Sequence, residues 1–215
     1  LNSLELAVHA TIPSSSGERT VSQETIEDSM QKKVTGYDKK GDHHYDTISA
    51  FIKSVRGSDP NAAIYWLARM LDAGEDPLFI ARRIIVLSAE DIGMANPQAL
   101  PISIAAQQAI SFLGMPESRI PLAEATVYLA TSPKSNSAYS AIDTALNDVR
   151  QEISEPVPYH LRNAETSLMK EIGYGKGYKY SHNYENHFAP MNNLPSNLQN
   201  RRYYIPTKQG YEQTA

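Results

Sequence analysis

The clearest pattern of apolar and polar positions lies in residues 57–93, which we call the hub, and it begins with an amphipathic helix. Asp59 followed by Pro60 is typical of a helix start, because the aspartate caps free backbone N–H groups and proline fits the first turn. Gly74 stands where a glycine commonly ends a helix. Between them, apolar residues recur at the helical period and form one face: Ala63, Ile64, Leu67, Met70 and Leu71.

A second helix follows directly, because the same start signal recurs at Asp76 and Pro77. Its apolar residues cover most of the circumference, and only Arg82 and Arg83 interrupt them. A helix that is apolar on nearly every side is usually buried on nearly every side. We therefore expect the two hub helices to form the centre of a helical bundle.

The same period predicts further helices on both sides of the hub. We place them near Tyr45–Arg56, from Asn96-Pro97 to Leu113, from Pro116 to Thr131, and from Ser137 to about Glu152. Pro101 is expected to loosen the first turn of the second of these helices. Because residues 42–155 show no alternating strand pattern, the predicted fold class is all-α.

Three of these flanking helices carry an apolar stripe that we expect to face inward. The stripe residues are Ile48, Phe51, Ile52 and Val55 in the first helix, Ile120, Ala123, Val127 and Leu129 or Ala130 in the third, and Ala138, Ile142, Ala145, Leu146 and Val149 in the fourth.

The two ends of the chain differ from this bundle, which we place at residues 42–155. Residues 1–35 predict two short helices, Leu1–Ala10 and Thr20 to Lys33, and residues 36–41 form a charged hinge. Residues 156–215 hold 8 of the 13 tyrosines and seven asparagines, with one short helix expected near Ala164–Ile172. We expect them to form an irregular arm, either packed on the bundle or laid on a partner.

Composition narrows the class of protein. The net charge of −4 lacks the overall signature of a nucleic-acid binder, although residues 156–215 carry seven positive and four negative side chains. The absence of cysteine excludes disulfides and fits the cytoplasm. No apolar run approaches the ~18 residues that span a membrane, and no signal peptide is evident. Because the chain opens without Met, we expect it to be part of a longer protein.

Asp42, His43, His44 and Asp46 suggest a metal site of the kind that a hydrolase would use. Adjacent histidines point in different directions on a helix, however, and only Asp42 and Asp46 share a face. The alternative is a solvated helix start, where the helix dipole favours aspartate. An elemental analysis that finds no metal would exclude the hydrolase hypothesis.

The hub contains five candidates for contacts between subunits: Trp66, Arg82, Arg83, Glu90 and Asp91. Trp66 lies off the apolar stripe of its helix, so it leaves surface for a partner. The paired acids could do acid–base chemistry, but no nucleophile or histidine is near them in sequence. We expect the acids and arginines to form ion pairs or an interface.

The arm contains candidates for a nucleic-acid contact. Lys176, Lys179, Arg201 and Arg202 could meet phosphates, while Tyr174, Tyr178 and Tyr180 could stack on bases. The glycine-rich stretch 173–178 matches neither a P-loop nor a dinucleotide fingerprint. The alternative interpretation is a packed aromatic arm that binds nothing.

Three long stretches resemble one family: residues 49–93, 114–139 and 159–182. They are similar to the C-terminal region of the RarA/MgsA family, replication-associated AAA+ ATPases that are related to clamp loaders and to the Werner-helicase-interacting ATPase of eukaryotes. The resemblance covers about residues 1–210. It implies that Leu1–Glu5 follows the sensor-2 arginine, that residues 1–35 end the AAA+ lid, and that residues 42–207 form a helical domain similar to the clamp-loader collar.

The resemblance also implies a function. The parent protein would bind ATP and magnesium, hydrolyse ATP, and bind DNA, especially single-stranded or fork DNA, in replication, recombination and repair. This chain would be its homotetramerisation domain, cytoplasmic and nucleoid-associated, with replication-fork proteins as further partners. It would carry no catalytic, cofactor-binding or metal residue of its own. The alternative is a DNA-contacting module that uses the basic, tyrosine-rich arm.

Overall fold

A computed structural model describes residues 21–22, 42–151 and 155–214, with side-chain surroundings from residue 45 onward. The described residues form seven α-helices, several short 3-10 turns and no strand, so the all-α prediction is confirmed. The helices predicted at Leu1–Ala10 and Thr20 to Lys33, and the hinge at residues 36–41, lie outside this part of the chain apart from Val21 and Ser22.

The helices follow one another with short connections. They are α1 (Asp42–Arg56), α2 (Pro60–Asp72), α3 (Pro77–Leu87), α4 (Ala99–Leu113), α5 (Arg119–Thr131), α6 (Ser137–Gln151) and α7 (Ser167–Ile172). A π-helical turn, Ser88–Ile92, and a 3-10 turn, Gly93–Ala95, join α3 to α4.

Both hub helices begin as their start signals predict. An Asp59 carboxylate oxygen accepts a hydrogen bond from Ala62 N at 2.9 Å, and Asp76 accepts one from Leu78 N at 3.0 Å. Each aspartate thus satisfies a backbone donor that the first turn leaves free. At the end of α2, Gly74 has a φ of 73°, which glycine adopts without strain.

The described chain divides into two compact units, and its path passes between them more than once. The first unit contains the residues up to Ser88 together with Gln98–Ser132, and the second contains Ala89–Pro97 together with the residues from Pro133 onward.

In the first unit, helices α1 to α5 surround an apolar core. α2 packs against α1 and α5, and α4 packs against α3 and α5. The largest side chains in this core are fully buried: Phe51, Val55, Met70, Ile80, Ile84, Leu87, Leu122 and Leu129. The predicted inward faces of α1 and α2 are largely confirmed, because Ile48 and Leu67 are also buried.

Two expectations for the first unit were wrong in part. On α5 the buried face contains Leu122, Ala125 and Thr126, whereas Ile120 is 61% exposed and Val127 is 40% exposed. α5 is apolar or small on most sides, so the spacing placed the first part of the stripe one position out of phase, whereas the predicted Leu129 and Ala130 are both buried.

The second hub helix, α3, is not buried on nearly every side. Leu78 and Val86 are 43% and 44% exposed, and Arg82, which lies between them at helical spacing, is exposed too. This face of α3 is therefore an exposed surface of the first unit on which two aliphatic side chains flank an arginine.

The second unit has little regular structure beyond α6 and α7. Its short segment Ala89–Pro97 is tied to the later chain, because Ser135 N donates to the Asp91 carbonyl oxygen at 2.8 Å. Gly210 approaches the Ala95 carbonyl so closely that a Cβ there would overlap the oxygen. The end of the chain therefore packs against this segment.

Candidate interaction surfaces

Helix α6 buries polar residues and exposes apolar ones. Ser137 and Asp148 are buried, at 6% and 7% exposure. Four of the five residues of the predicted inward stripe are exposed instead: Ile142 at 55%, Leu146 at 40%, Val149 at 65%, and Ala138; the fifth, Ala145, is half-buried. The expectation that this stripe packs inside the chain was therefore wrong.

Ser137 is buried because it binds the carboxylate of Glu212, which is only 2% exposed. The hydroxyl groups of Ser135 and Thr207 donate to Glu212 Oε2 at 2.7 and 2.6 Å, and Thr207 N donates to the same oxygen at 2.8 Å. The Ser137 and Tyr204 hydroxyls donate to Oε1. Such a set of donors suits an ionised carboxylate, which accepts through both oxygens.

The hydrogen bonds determine the charge state of Glu212. Burial by itself raises the pKa of the carboxyl, since it penalises the charged form. The bonds from Ser137, Thr207 and Ser135 outweigh burial and lower the pKa from 4.5 to about 2. Glu212 is thus a permanent anion at neutral pH that fastens the chain end to the start of α6.

Asp148 fastens the arm to the other end of α6. Arg201 forms a bidentate ion pair with it, from Nε to Oδ2 at 3.0 Å and from Nη2 to Oδ1 at 3.1 Å. The Tyr203 hydroxyl donates to Oδ2 at 3.0 Å. The buried side of α6 therefore carries the polar residues that bind the arm and the chain end. The apolar stripe lies on another side of the helix.

The hub candidates have the following surroundings. Trp66 is half-buried, with the Arg69 guanidinium 5.3 Å from its ring centre, and Arg83 stands 5.5 Å from the centre of the Phe79 ring. Arg82 is exposed. These three candidates lie in the first unit.

Glu90 and Asp91 belong to the second unit. Asp91 is buried at 8% exposure, whereas Glu90 is half-buried. Burial lowers the pKa of Lys134, and the nearby Asp91 charge opposes that effect. Asp91 thus lies near enough to Lys134, a residue of its own unit, for the two charges to interact.

In the first unit, an apolar groove of about 710 Å³ runs between α2 and α5. Its lining includes Ile64 and Leu71 of the predicted α2 stripe, together with Ile120 and Ala123 of the predicted α5 stripe. These positions of the two predicted apolar faces therefore border an open groove of the first unit.

The arm candidates divide into two groups. Tyr174 packs within the arm, because its hydroxyl accepts from Arg162 at 3.1 Å and its ring lies 5.5 Å from that of Tyr159. Tyr178 and Tyr180 are exposed, as are Lys176 and Arg202. Lys179 is half-buried, and its ammonium donates to the Pro190 carbonyl at 3.3 Å.

Sequence reasoning missed Glu212, Ser137 and Asp148. A glutamate five residues after a threonine gives no local signal that it will be buried. Ser137 and Asp148 do lie off the apolar stripe of α6, but polar residues in such positions equally well indicate a face exposed to solvent.

Among the residues whose side chains are described, no group of three or more histidine or acidic side chains could hold a metal ion. Of the proposed hydrolase cluster, Asp46 is exposed, and the side chains of Asp42, His43 and His44 lie outside the described set. None of the helices in the described ranges is long and apolar enough to cross a membrane.

Comparison with known proteins identifies the class and then the family. The helical architecture is consistent with the C-terminal domain of an AAA+ ATPase, and residues 1–56 match the family model "AAA C-terminal domain". Residues 57–215 match the model "MgsA AAA+ ATPase C terminal". The chain therefore belongs to the RarA/MgsA family, as the sequence resemblance predicted.

Similar proteins occur in distantly related organisms. The chain is 49% identical over 215 residues to the replication-associated recombination protein A of Bacillus subtilis, covering 100% of this chain and 51% of the relative. It is 44% identical over 213 residues to the Escherichia coli K12 protein of that name, covering 99% and 48%. Identity to the Dictyostelium discoideum ATPase WRNIP1 is 43% over 176 residues, covering 81% and 20%. The chain thus spans about half the length of the bacterial relatives.

Proposed function

We propose that this chain is the self-assembly domain of a RarA-like AAA+ ATPase and that it forms a homotetramer. The outward apolar stripe of α6 carries the proposal. Ile142, Leu146 and Val149 follow one another at helical spacing, and each is at least 40% exposed. An aligned row of exposed aliphatic side chains marks an interaction surface more reliably than scattered ones do.

Charge complementarity favours a second copy as the occupant of this stripe. In a two-fold, antiparallel pairing centred near Leu146, Ile142 meets Val149 of a second copy. Asp143 and Arg150 lie on the same flank of the stripe, so each can face its opposite charge across the pair. A two-fold interface must be self-complementary in this way.

A tetramer built from two-fold pairs needs a second contact surface. The exposed face of α3, with Leu78, Arg82 and Val86, supports that role in the first unit. This face contains Arg82, one of the five residues that the sequence suggested for contacts between subunits. The next residue, Arg83, lies over the Phe79 ring.

Light scattering of the 215-residue chain at tens of micromolar tests this assembly, and a monomeric mass would refute it. Ile142→Glu is expected to reduce the mass, because it places a charge in the stripe. Asn147→Glu is the matched control, since it adds the same charge to an exposed position on the opposite side of α6. Equal masses for both variants would exclude α6 as the interface.

For the whole protein we propose ATP hydrolysis with magnesium and action on DNA in replication-associated recombination. The names of the bacterial relatives and the AAA+ family of the chain support this proposal. The parent protein would act at single-stranded or fork DNA with replication-fork proteins, in the cytoplasm at the nucleoid. The chain described here would be non-catalytic, as residues 1–35 would end the lid and residues 42–155 would assemble the subunits.

An ATPase assay separates the two parts of this proposal. The intact protein is expected to hydrolyse ATP faster with single-stranded DNA, and the 215-residue chain alone is expected to hydrolyse none. Turnover by the chain alone would assign it a catalytic role and refute this division of labour.

A further inference from the structure

An open pocket of about 610 Å³ lies within the second unit. Its volume falls in the range of small-molecule sites, roughly 300–1,000 Å³. Most of its lining comes from one irregular stretch of the arm, and two residues come from further along the chain. The lining includes Phe188, Pro190, Asn192, Asn193, Gln199 and Arg201.

The pocket combines an aromatic ring with amide side chains. Phe188 is 71% exposed, so its ring is accessible to a ligand. Asn192 Oδ1 accepts from Leu194 N at 3.3 Å, and Asn193 Oδ1 lies 3.4 Å from His160 Nε2. These contacts use the amide oxygens, so neither NH2 group has a protein acceptor within the described ranges.

Two cations border this pocket. Arg201 belongs to the lining, and its ion pair with Asp148 fixes the guanidinium while leaving the side chain 51% exposed. Lys179 stands beside the Pro190–Met191 edge, where its ammonium donates to Pro190 O and its backbone N–H donates to Met191 Sδ at 3.2 Å. Of the four basic candidates from the sequence, Arg201 thus lines the pocket and Lys179 lies beside it.

Further rings precede Phe188 in the chain. Tyr180 and His187 each lie 5.0 Å from His182, measured between ring centres. Rings at this separation contact one another. The bases of a single strand can stack on exposed aromatic rings whatever the base sequence of the strand.

We infer that this pocket binds an unstacked nucleobase of single-stranded DNA, with Phe188 stacking on the base and the amides of Asn192, Asn193 and Gln199 hydrogen-bonding its edge. Lys179 and Arg201 contact the flanking phosphates. A ring, amides and cations are the groups that recognise single-stranded nucleic acid, whereas the bases of a duplex are already stacked and paired. The choice of DNA rests on the proposed role of the whole protein.

Fluorescence anisotropy with a labelled thymidine oligonucleotide and the 215-residue chain tests the inference. Phe188→Ala is expected to weaken binding by at least about fivefold, because stacking contributes roughly 1–3 kcal/mol per base. Phe112→Ala is the matched control, since Phe112 is 89% exposed in the first unit. Equal affinities for both variants, or no binding by the unaltered chain, would overturn the inference.

The cations are tested through salt. Lys179→Gln is expected to reduce the slope of log affinity against log salt by about one relative to the unaltered chain, whereas Lys170→Gln on α7 is expected to leave it unchanged. An unchanged slope for Lys179→Gln would remove this lysine from the site and contradict the two-cation arrangement.

Two competitors identify the source of the base. Unlabelled duplex DNA and free thymidine monophosphate are both expected to compete more weakly than the single strand. A mononucleotide that competes equally well, and whose effect Phe188→Ala abolishes, would make the pocket a free-nucleotide site and overturn the strand proposal. Light scattering of Phe188→Ala is expected to show unchanged assembly, so failure here is distinguishable from failure of the assembly proposal.

Discussion

The Ser135 hydroxyl donates to Glu212 Oε2 at 2.7 Å, although the two residues are 77 positions apart in sequence. The bond is buried and joins the turn before α6 to the last described residues of the chain. Hydrogen bonds to a buried charge contribute more to folding stability than bonds between neutral groups do. We therefore expect this contact to stabilise the fold of the second unit strongly.

Glu212→Gln is expected to destabilise the chain by about 1–3 kcal/mol, because an amide cannot accept from all of these donors through both ends. Urea unfolding measures the change. Glu171→Gln makes the same substitution at an exposed position of α7 and is the matched control. A loss no larger than the control's would show that the carboxylate is unimportant for the fold.

The stability that Glu212 confers depends on pH in one direction. Its folded pKa of about 2 lies below the ordinary value of 4.5, so the contribution is complete above the ordinary value and declines as pH falls toward the folded one. The unaltered chain should therefore lose stability between about pH 5 and pH 2 more steeply than Glu212→Gln. Thermal midpoints across this range provide the test, and parallel curves for both proteins would contradict it.

Gly210→Ala is expected to be more harmful than a comparable glycine substitution. A Cβ at Gly210 would overlap the Ala95 carbonyl oxygen and stand 2.7 Å from Pro133 Cγ, at a φ of 51°. Gly177 also has a positive φ, 87°, but nothing lies within 4 Å of its Cβ position. Gly177→Ala should therefore cost only the backbone strain, about 1–2 kcal/mol.

The difference between the two glycine variants isolates the steric overlap. Overpacking usually costs about 1–3 kcal/mol, so Gly210→Ala should exceed Gly177→Ala by that amount in denaturant unfolding. Similar losses would mean that the chain end shifts freely away from Ala95.

Leu122→Ala and Ile120→Ala test which face of α5 is buried. Leu122 has no exposed surface and Ile120 is 61% exposed. Removing a buried leucine side chain typically costs about 2–5 kcal/mol, whereas a surface truncation usually stays within about 0.5 kcal/mol. The stripe predicted from spacing gives the reverse order, so the ranking of thermal midpoints decides between them.

Thr126→Val is expected to leave stability unchanged or to raise it by up to about 1 kcal/mol. Among the described residues, the Thr126 hydroxyl is buried and has no hydrogen-bond partner. Valine has nearly the same shape and no polar group to desolvate. A clear loss of stability on calorimetry would indicate that the hydroxyl binds an internal water.

The features that could be predicted from the sequence are those determined by residues close together along the chain. The starts of α2 and α3 depend on Asp59 and Asp76, which lie within three residues of the N–H groups they cap. The end of α4 at Gly114 is equally local, because a glycine with φ of 71° interrupts the helix there. Such signals need no knowledge of the tertiary structure.

The direction in which α6 faces could not be predicted in this way. A stripe such as Ile142 and Val149 indicates that the helix buries one face, but not whether its own chain or a second copy covers that face. Which side of α6 packs within its own chain depends on Glu212 and Arg201, which are distant from it in sequence. The amide-lined pocket had no sequence signal either, because Phe188 and Asn192 lie in irregular structure with no period.

The path of the chain between the units limits how the protein can be divided. Ala89–Pro97 belongs to the second unit although the first unit precedes and follows it. A protein cut after Ser132 would keep this segment but lose Ser135 and Gly210, its contacts in the folded chain. A single cut that removes one unit therefore leaves this segment without its contacts, and the two proposed functions are best separated by point substitutions within the intact chain.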